Sequence, residues 1–133
     1  MNNNKKFAYC TVITNDDYTP CIIRQKQRMD YLKCKYPFIV LVTDNVEDKV
    51  INKLKENNIE YRIVQYNYLK STEKRNFYHH RNTINLFAAL TLTDFDFIMV
   101  AEADMLFKNN FDFFIDYFYD KNKFKKNNLI FFT

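Results

Sequence analysis

The chain has 133 residues, 47% of them hydrophobic and 18% aromatic, and a net charge of +4. That is the length of one domain with enough apolar surface for a core, and it excludes intrinsic disorder. Glycine is absent, which excludes a P-loop, a G-x-G-x-x-G dinucleotide fingerprint and a G-x-S-x-G nucleophile elbow, because all three need the backbone freedom of glycine.

No apolar run approaches the roughly 18 residues of a membrane span. The amino terminus, MNNNKKFAYC, lacks the long apolar stretch of a secretory signal. Cys10, Cys21 and Cys34 make an odd count without C-x-x-C spacing. They argue against a disulfide framework or zinc site and for a reducing, cytoplasmic setting. Asn, Lys, Ile, Tyr and Phe supply about half of the chain, the signature of an AT-rich genome, so part of the lysine excess reflects codon bias. Lys121, Lys123, Lys125 and Lys126 follow Asp112, Asp116 and Asp120. This alternation reads as a solvated loop, and nucleic acid is not an expected partner because no recognition motif accompanies it.

In chain order, Phe7 to Thr14 reads as a β-rich strand. Thr19 and Pro20 read as N-cap and first residue of a helix to about Lys35, with Ile22, Ile23, Met29 and Leu32 as its apolar face and Pro37 as its stop. Phe38 to Thr43 is a nearly continuous apolar run, as expected of a strand buried on both faces. Asn45 is placed to cap a helix carrying Val46, Val50, Ile51 and Leu54, which Asn57 and Asn58 end in a left-handed turn. Tyr61 to Tyr66 reads as a strand, 67–76 as a loop, and Phe77 to Leu92 as a helix with Ile84, Phe87 and Leu90 on its face. Asp94 to Asp96 turn the chain into a strand from Phe97 to Ala101. A short helix from Asn110 to Tyr119 and a strand from Leu129 to Phe132 complete the reading.

This alternation predicts a single domain over 1–133 of the α/β class: a doubly wound, mainly parallel sheet flanked by helices. Ligands of such sheets bind beyond the carboxyl ends of the strands, where the strand order reverses. The rule selects Thr14, Asn15, Asp16 and Asp17 after the first strand, Thr43 and Asp44 after the second, and Glu102, Ala103 and Asp104 after the fourth. It also requires the first and fourth strands to be neighbours. At strand spacing Glu102 and Asp104 project to one side, where two like charges repel unless a cation joins them. Carboxylate oxygens suit Mg²⁺ or Mn²⁺, which share their coordination with substrate phosphates.

Three segments, AYCTVITNDDYTPC, YPFIVLVTDNV and FDFIMVAEADMLFKNNFDFFID, stand in the order and at the separations of glycosyltransferase family 8, and the chain resembles these glycogenin-like enzymes of the GT-A fold. The first looks like the family's opening strand and turn, the second like its second strand, and the third like its Asp-x-Asp strand. The resemblance implies a UDP-sugar ligand, with Val12, Thr14, Asn15 and Tyr18 at the base and ribose. Arg75 falls near the family's nucleotide-sugar arginine, with Arg81 competing for that place. Ala103 stands where the backbone approaches the nucleotide, and Glu102 and Asp104 hold Mn²⁺ or Mg²⁺. Hexosyl transfer to an acceptor hydroxyl is the implied reaction.

The chain also departs from the family. Glu102 replaces the first aspartate, Asn85 or Leu86 falls where the family has a lysine, and the chain stops after LIFFT, before the family's N-S-G segment and late histidine. His79 and His80 precede the acidic strand and do not match that histidine. These departures describe an amino-terminal, truncated member with impaired catalysis. The other reading is an inactive paralogue that pairs with itself or with a full-length glycosyltransferase through Phe111, Phe113, Phe114, Tyr117 and Phe118.

Overall fold

The computed structural model describes residues 6–67, 83–120 and 128–132. Arg75, Arg81, His79, His80, the lysines at 121–126 and the side chains of Ile84 and Phe118 lie outside what is described. The elements run β1 (Phe7–Ile13), α1 (Thr19–Tyr31), β2 (Phe38–Thr43), α2 (Asp48–Glu56), β3 (Glu60–Val64), a 3-10 segment (Thr83–Thr91), β4 (Phe97–Ala101), α3 (Asp112–Asp120) and β5 (Asn128–Phe132). The five strands form one sheet in the order β3-β2-β1-β4-β5, and every neighbouring pair is parallel. The chain builds outward from β1 through β2 to β3, then crosses back to β4 and builds the other way. The order therefore reverses between β1 and β4, and the expected adjacency of these strands holds.

All residues of β1, β2 and β4 are buried, which is why their sequences are apolar without alternation. Alternate residues still serve two cores. Phe7, Tyr9, Ile13, Val40, Val42, Met99 and Ala101 meet Ile22 and Met29 of α1, Val50 and Leu54 of α2 and Ile115 of α3. Ala8, Cys10, Val12, Ile39, Leu41, Ile98 and Val100 meet Ala89 and Leu92 of and beside the 3-10 segment. Among the described residues the α-helices thus share one face, and the 3-10 segment covers the other. Burial pushes the Cys10 thiol up to about 12, so this cysteine behaves as a small core residue.

The helix ends differ from the sequence reading. Helix α1 begins at Thr19, with Pro20 inside its first turn and no side-chain cap from Tyr18; the Thr19 Oγ1 donates to the Asp16 carbonyl at 2.8 Å. It ends at Tyr31 and not near Lys35, because Lys33 turns left-handed at φ 55°. The Cys34 N–H bonds the Met29 carbonyl at 3.1 Å and the Lys33 N–H bonds that of Asp30 at 3.1 Å, the paired closure of a Schellman motif. Helix α2 ends the same way. Asn58 takes φ 54°, Ile59 N–H reaches Leu54 at 2.9 Å and Asn58 N–H reaches Lys55 at 3.1 Å. Asn45 does not cap α2, whose N-cap is Glu47; its Nδ2 donates to the Thr14 carbonyl at 2.9 Å.

The segment before β4 also corrects the reading. Its described part is 3-10, and Phe87 and Leu90, expected inside, are 58% and 57% exposed. Three-residue spacing does place them in one row, but that row faces out. The inward side carries Ala89, buried in one cluster with Ala8 and Cys10, and the buried Asn85. The Asn85 amide accepts from the Asn67 N–H at 2.8 Å and donates to the Asn67 carbonyl at 2.9 Å. That two-point bond to the backbone fixes which side faces the protein.

At the edge strand β3, Arg62 forms two 2.8 Å bonds to the Asp94 carboxylate and lies 5.6 Å from the Phe95 ring centre. The guanidinium draws the Asp94 carboxyl from 3.8 down to about 2.

Replacing Lys33 by Gly should raise stability by about 0.5–1 kcal/mol, the relief of a left-handed non-glycine less the added freedom of the unfolded chain. Asn58→Ala should lower it by about 1 kcal/mol, since alanine tolerates that conformation less well; urea denaturation midpoints check both. The folded-state pKa of Asp94 lies below the unfolded one, so its contribution is present above pH 3.8 and disappears as the pH falls toward about 2. The pair is solvent-exposed, so the effect is about 0.5 kcal/mol. Midpoints measured at pH 5, 3 and 2 should converge between the native chain and Asp94→Asn as the acid range is entered.

Candidate functional site

Parallel strands place all their carboxyl ends along one edge of the sheet, so the residues after β1, β2 and β4 gather there. β1 and β2 remain paired as far as Ile13 and Val42, whereas β1 and β4 pair only as far as Cys10 and Val100. Beyond those residues the two central strands part, at the point where the strand order reverses. The Thr14–Tyr18 loop stands on one side of this opening and the Glu102–Met105 turn on the other.

The β1 side is held from β2. The Thr43 hydroxyl donates to the Ile13 carbonyl at 3.1 Å, and Asn45 holds the next carbonyl, that of Thr14. The Asn15 Oδ1 accepts from the Asp17 N–H at 3.0 Å and so caps the 3-10 turn Asp16–Tyr18. Asp16 pairs with Lys49 of α2 at 3.2 Å. Asp44 accepts from the Tyr66 N–H at 3.0 Å, which ties the ends of β2 and β3. Tyr18 is 38% exposed at the mouth of the loop. The side chain of Val12 lies in the core beneath the 3-10 segment and is not offered to a ligand.

The acidic pair is not on the extended strand. Glu102 lies just past the last residue of β4, and Ala103 and Asp104 form a turn closed by the Met105 N–H on the Glu102 carbonyl at 3.1 Å. The same-side argument from strand spacing therefore does not apply to these carboxylates. Ala103 is buried against the helical face of the sheet and anchors the turn. Glu102 is half-buried and Asp104 is exposed. Among the described residues no group of three or more His, Cys, Asp or Glu is placed to hold a metal ion. Two hard oxygen donors at a strand end suit a cation that takes its remaining ligands from a diphosphate and water. Arg75 lies outside the described residues, so its relation to this opening is not part of the geometry.

The sequence assigns no supporting role to the residues that hold the acidic turn and the stretch after it. Gln25 of α1 donates to the carbonyls of Met105 at 2.9 Å and Glu102 at 3.4 Å. Arg28 donates to those of Phe107 at 2.8 Å and Lys108 at 3.0 Å. The Asn110 amide donates to the Leu32 carbonyl at 3.0 Å. Asp112 is buried and accepts from the Tyr9 hydroxyl at 2.6 Å and the Lys35 N–H at 2.8 Å. Burial, followed by the Asp112 carboxylate, raises the Tyr9 hydroxyl pKa and keeps it a donor. One signal in the sequence pointed here: Gln25 interrupts the apolar stripe Ile22, Met29, Leu32 at helical spacing.

A groove of about 500 Å³ lies between α1 and α2, lined by Ile23, Arg24, Lys49, Val50 and Lys53 among others. None of its lining belongs to the acidic turn. No protein-family model and no curated protein matches the chain.

Asn15→Ala should cost about 1 kcal/mol of stability through loss of its cap, and Asn15→Asp should keep most of it because the aspartate oxygen caps equally well. Thermal or urea unfolding of the two variants separates this capping role from any contribution to ligand affinity.

Proposed function

We propose that the chain binds a UDP-sugar in the opening between β1 and β4, together with Mn²⁺ or Mg²⁺, as a glycogenin-like glycosyltransferase of the GT-A type. The observation that carries this reading is the parting of β1 and β4 at the reversal of strand order, with the Asn15 loop on one lip and the Glu102–Asp104 turn on the other. Doubly wound sheets take nucleotides at this place, and two carboxylates are what a cation shared with a diphosphate needs from the protein. The Thr14–Tyr18 loop would take the nucleoside, with Tyr18 exposed at its mouth. Glu102 and Asp104 would hold the cation, which in a hexosyl transfer neutralises the departing diphosphate. The acceptor would be a hydroxyl group.

A second, non-enzymatic reading is favoured by the apolar side chains that follow the acidic turn. Leu106 is 58% exposed and Phe113 is 65% exposed, a pattern that suits pairing with a second chain. Sedimentation over a range of protein concentrations distinguishes a self-associating chain from a monomer.

Titration calorimetry tests the first reading. UDP-glucose should bind in the presence of Mn²⁺ and lose about tenfold or more in affinity without it. Mn²⁺ alone should bind more weakly than micromolar, because two carboxylates leave most of the coordination shell to water. Asp104→Ala should lose the Mn²⁺-dependent part while unfolding at the same urea concentration, since Asp104 is exposed. Silence of the native chain toward UDP-glucose and Mn²⁺, or an unchanged Asp104→Ala titration, overturns the assignment.

A further inference from the structure

Helix α1 packs on the sheet through a stripe at positions 22, 25, 29 and 32, and three of these are apolar: Ile22, Met29 and Leu32. The fourth, Gln25, is 0% exposed. Among the described residues its Oε1 has no hydrogen-bond partner. A buried amide oxygen left unpaired is unfavourable, and leucine or methionine at this place in the stripe would carry no such penalty. What glutamine supplies and they lack is the side-chain NH₂. That group donates to the carbonyls of Glu102 and Met105, the first and last residues of the turn that carries Glu102 and Asp104. The turn's own bond, from the Met105 N–H to the Glu102 carbonyl, fixes its width. The amide of Gln25 fixes its position against the helix. The other α1 side chain that bonds this region, Arg28, attaches farther along, at Phe107 and Lys108.

We infer that Gln25 is a positioning residue, whose side-chain amide sets the place and backbone conformation of the Glu102–Met105 turn. Its consequence for ligand binding rests on the reading of that turn as the cation and diphosphate site. Gln25 touches no ligand itself. It acts through two carbonyl groups, and an incompletely held turn leaves the carboxylates free to occupy arrangements that do not share a cation.

The test compares the native chain with Gln25→Met and Gln25→Leu, which keep the apolar stripe and remove the donor. Two readouts are taken: amide hydrogen exchange at Met105 and Val100, and UDP-glucose affinity with and without Mn²⁺. Exchange at Met105 should quicken about tenfold while Val100 in β4 keeps its protection. Affinity with Mn²⁺ should fall about tenfold, and any Mn²⁺-independent affinity should stay within twofold. Unchanged protection at Met105 overturns the inference, as does equal loss at Met105 and Val100, or failure of both variants to fold. Either of the last two makes Gln25 a core residue only. Mn²⁺-dependent affinity unchanged in the variants overturns it as well. If the native chain itself does not bind UDP-glucose with Mn²⁺, the nucleotide reading fails, and the exchange data alone then decide whether Gln25 positions the turn.

Discussion

The stretch from Glu102 to Phe111 belongs to no helix or strand, and α1 is what holds it. Down the helix and past its end, Gln25 takes the carbonyls of Glu102 and Met105, Arg28 takes those of Phe107 and Lys108, the Leu32 carbonyl at the cap receives Asn110, and the Lys35 N–H beyond it reaches Asp112. Ten irregular residues would otherwise leave many backbone groups to find partners in water, and a buried carbonyl without a partner is strongly disfavoured. The helix meets those carbonyls in sequence, so the exit from β4 follows its length. Tyr9 completes the arrangement from beneath, donating to Asp112 from the middle of the sheet. The position of the acidic turn is thus decided by a helix that precedes it by some seventy residues, and only secondarily by the strand it leaves.

A chain without glycine must make its tight turns by other means. Two helices end in left-handed residues, and the residues there are Lys33 and Asn58. Asparagine is the usual substitute, because its short polar side chain tolerates that region; lysine is not, and its presence at C′ is a strain accepted for the closure that follows. In both motifs the next residue packs inward: Ile59 is buried, and Cys34 is half-buried against the same core. These contacts bring the chain back onto the sheet in time to begin β3 and, after Pro37, β2. Small size where backbones or core walls approach falls to alanine, as at Ala8, Ala89, Ala101 and Ala103. Ala103 is the most consequential, since its side chain seats the acidic turn against the helical face.

Much of the fold was legible because the central strands are buried on both faces. Burial of that kind demands unbroken apolar runs, so β2 and β4 could be bounded to the residue from FIVLVT and FIMVA. The order of strands and helices followed, and with it the edge of the sheet on which Asn15 and Glu102 both lie. Apolar spacing was less informative before β4, where Phe87 and Leu90 form an apolar row that faces out. The deciding residue there was the polar Asn85, whose bonds to Asn67 cannot be read from periodicity. The place of Glu102 and Asp104 after β4 was legible, but their geometry was not, because where a strand ends and a turn begins depends on a hydrogen bond to Glu102 and on a helix far away in sequence. The supporting residues Gln25, Arg28 and Asp112 share a property that hides them: each is a polar side chain bonded to a backbone group about 80 residues distant. A sequence displays the residue in such a pair without its partner.

These attachments also set how the two lips of the opening are placed relative to each other. The Thr14–Tyr18 loop runs directly into α1 through Thr19, whose hydroxyl is bonded back to Asp16. It is tied as well to β2 and α2 through Thr43, Asn45 and the Asp16–Lys49 pair. The acidic turn is bonded to the same helix two turns farther on, through Gln25. Both lips are therefore carried by α1, one by the covalent chain and one by hydrogen bonds, although they follow different strands. A helix whose stripe is buried on the sheet is a stiff element, and groups fixed to it keep their separation without needing a ligand to set it. Any anionic ligand that spans the opening then meets a spacing already established, and the protein loses less conformational entropy on binding it than two independent loops would.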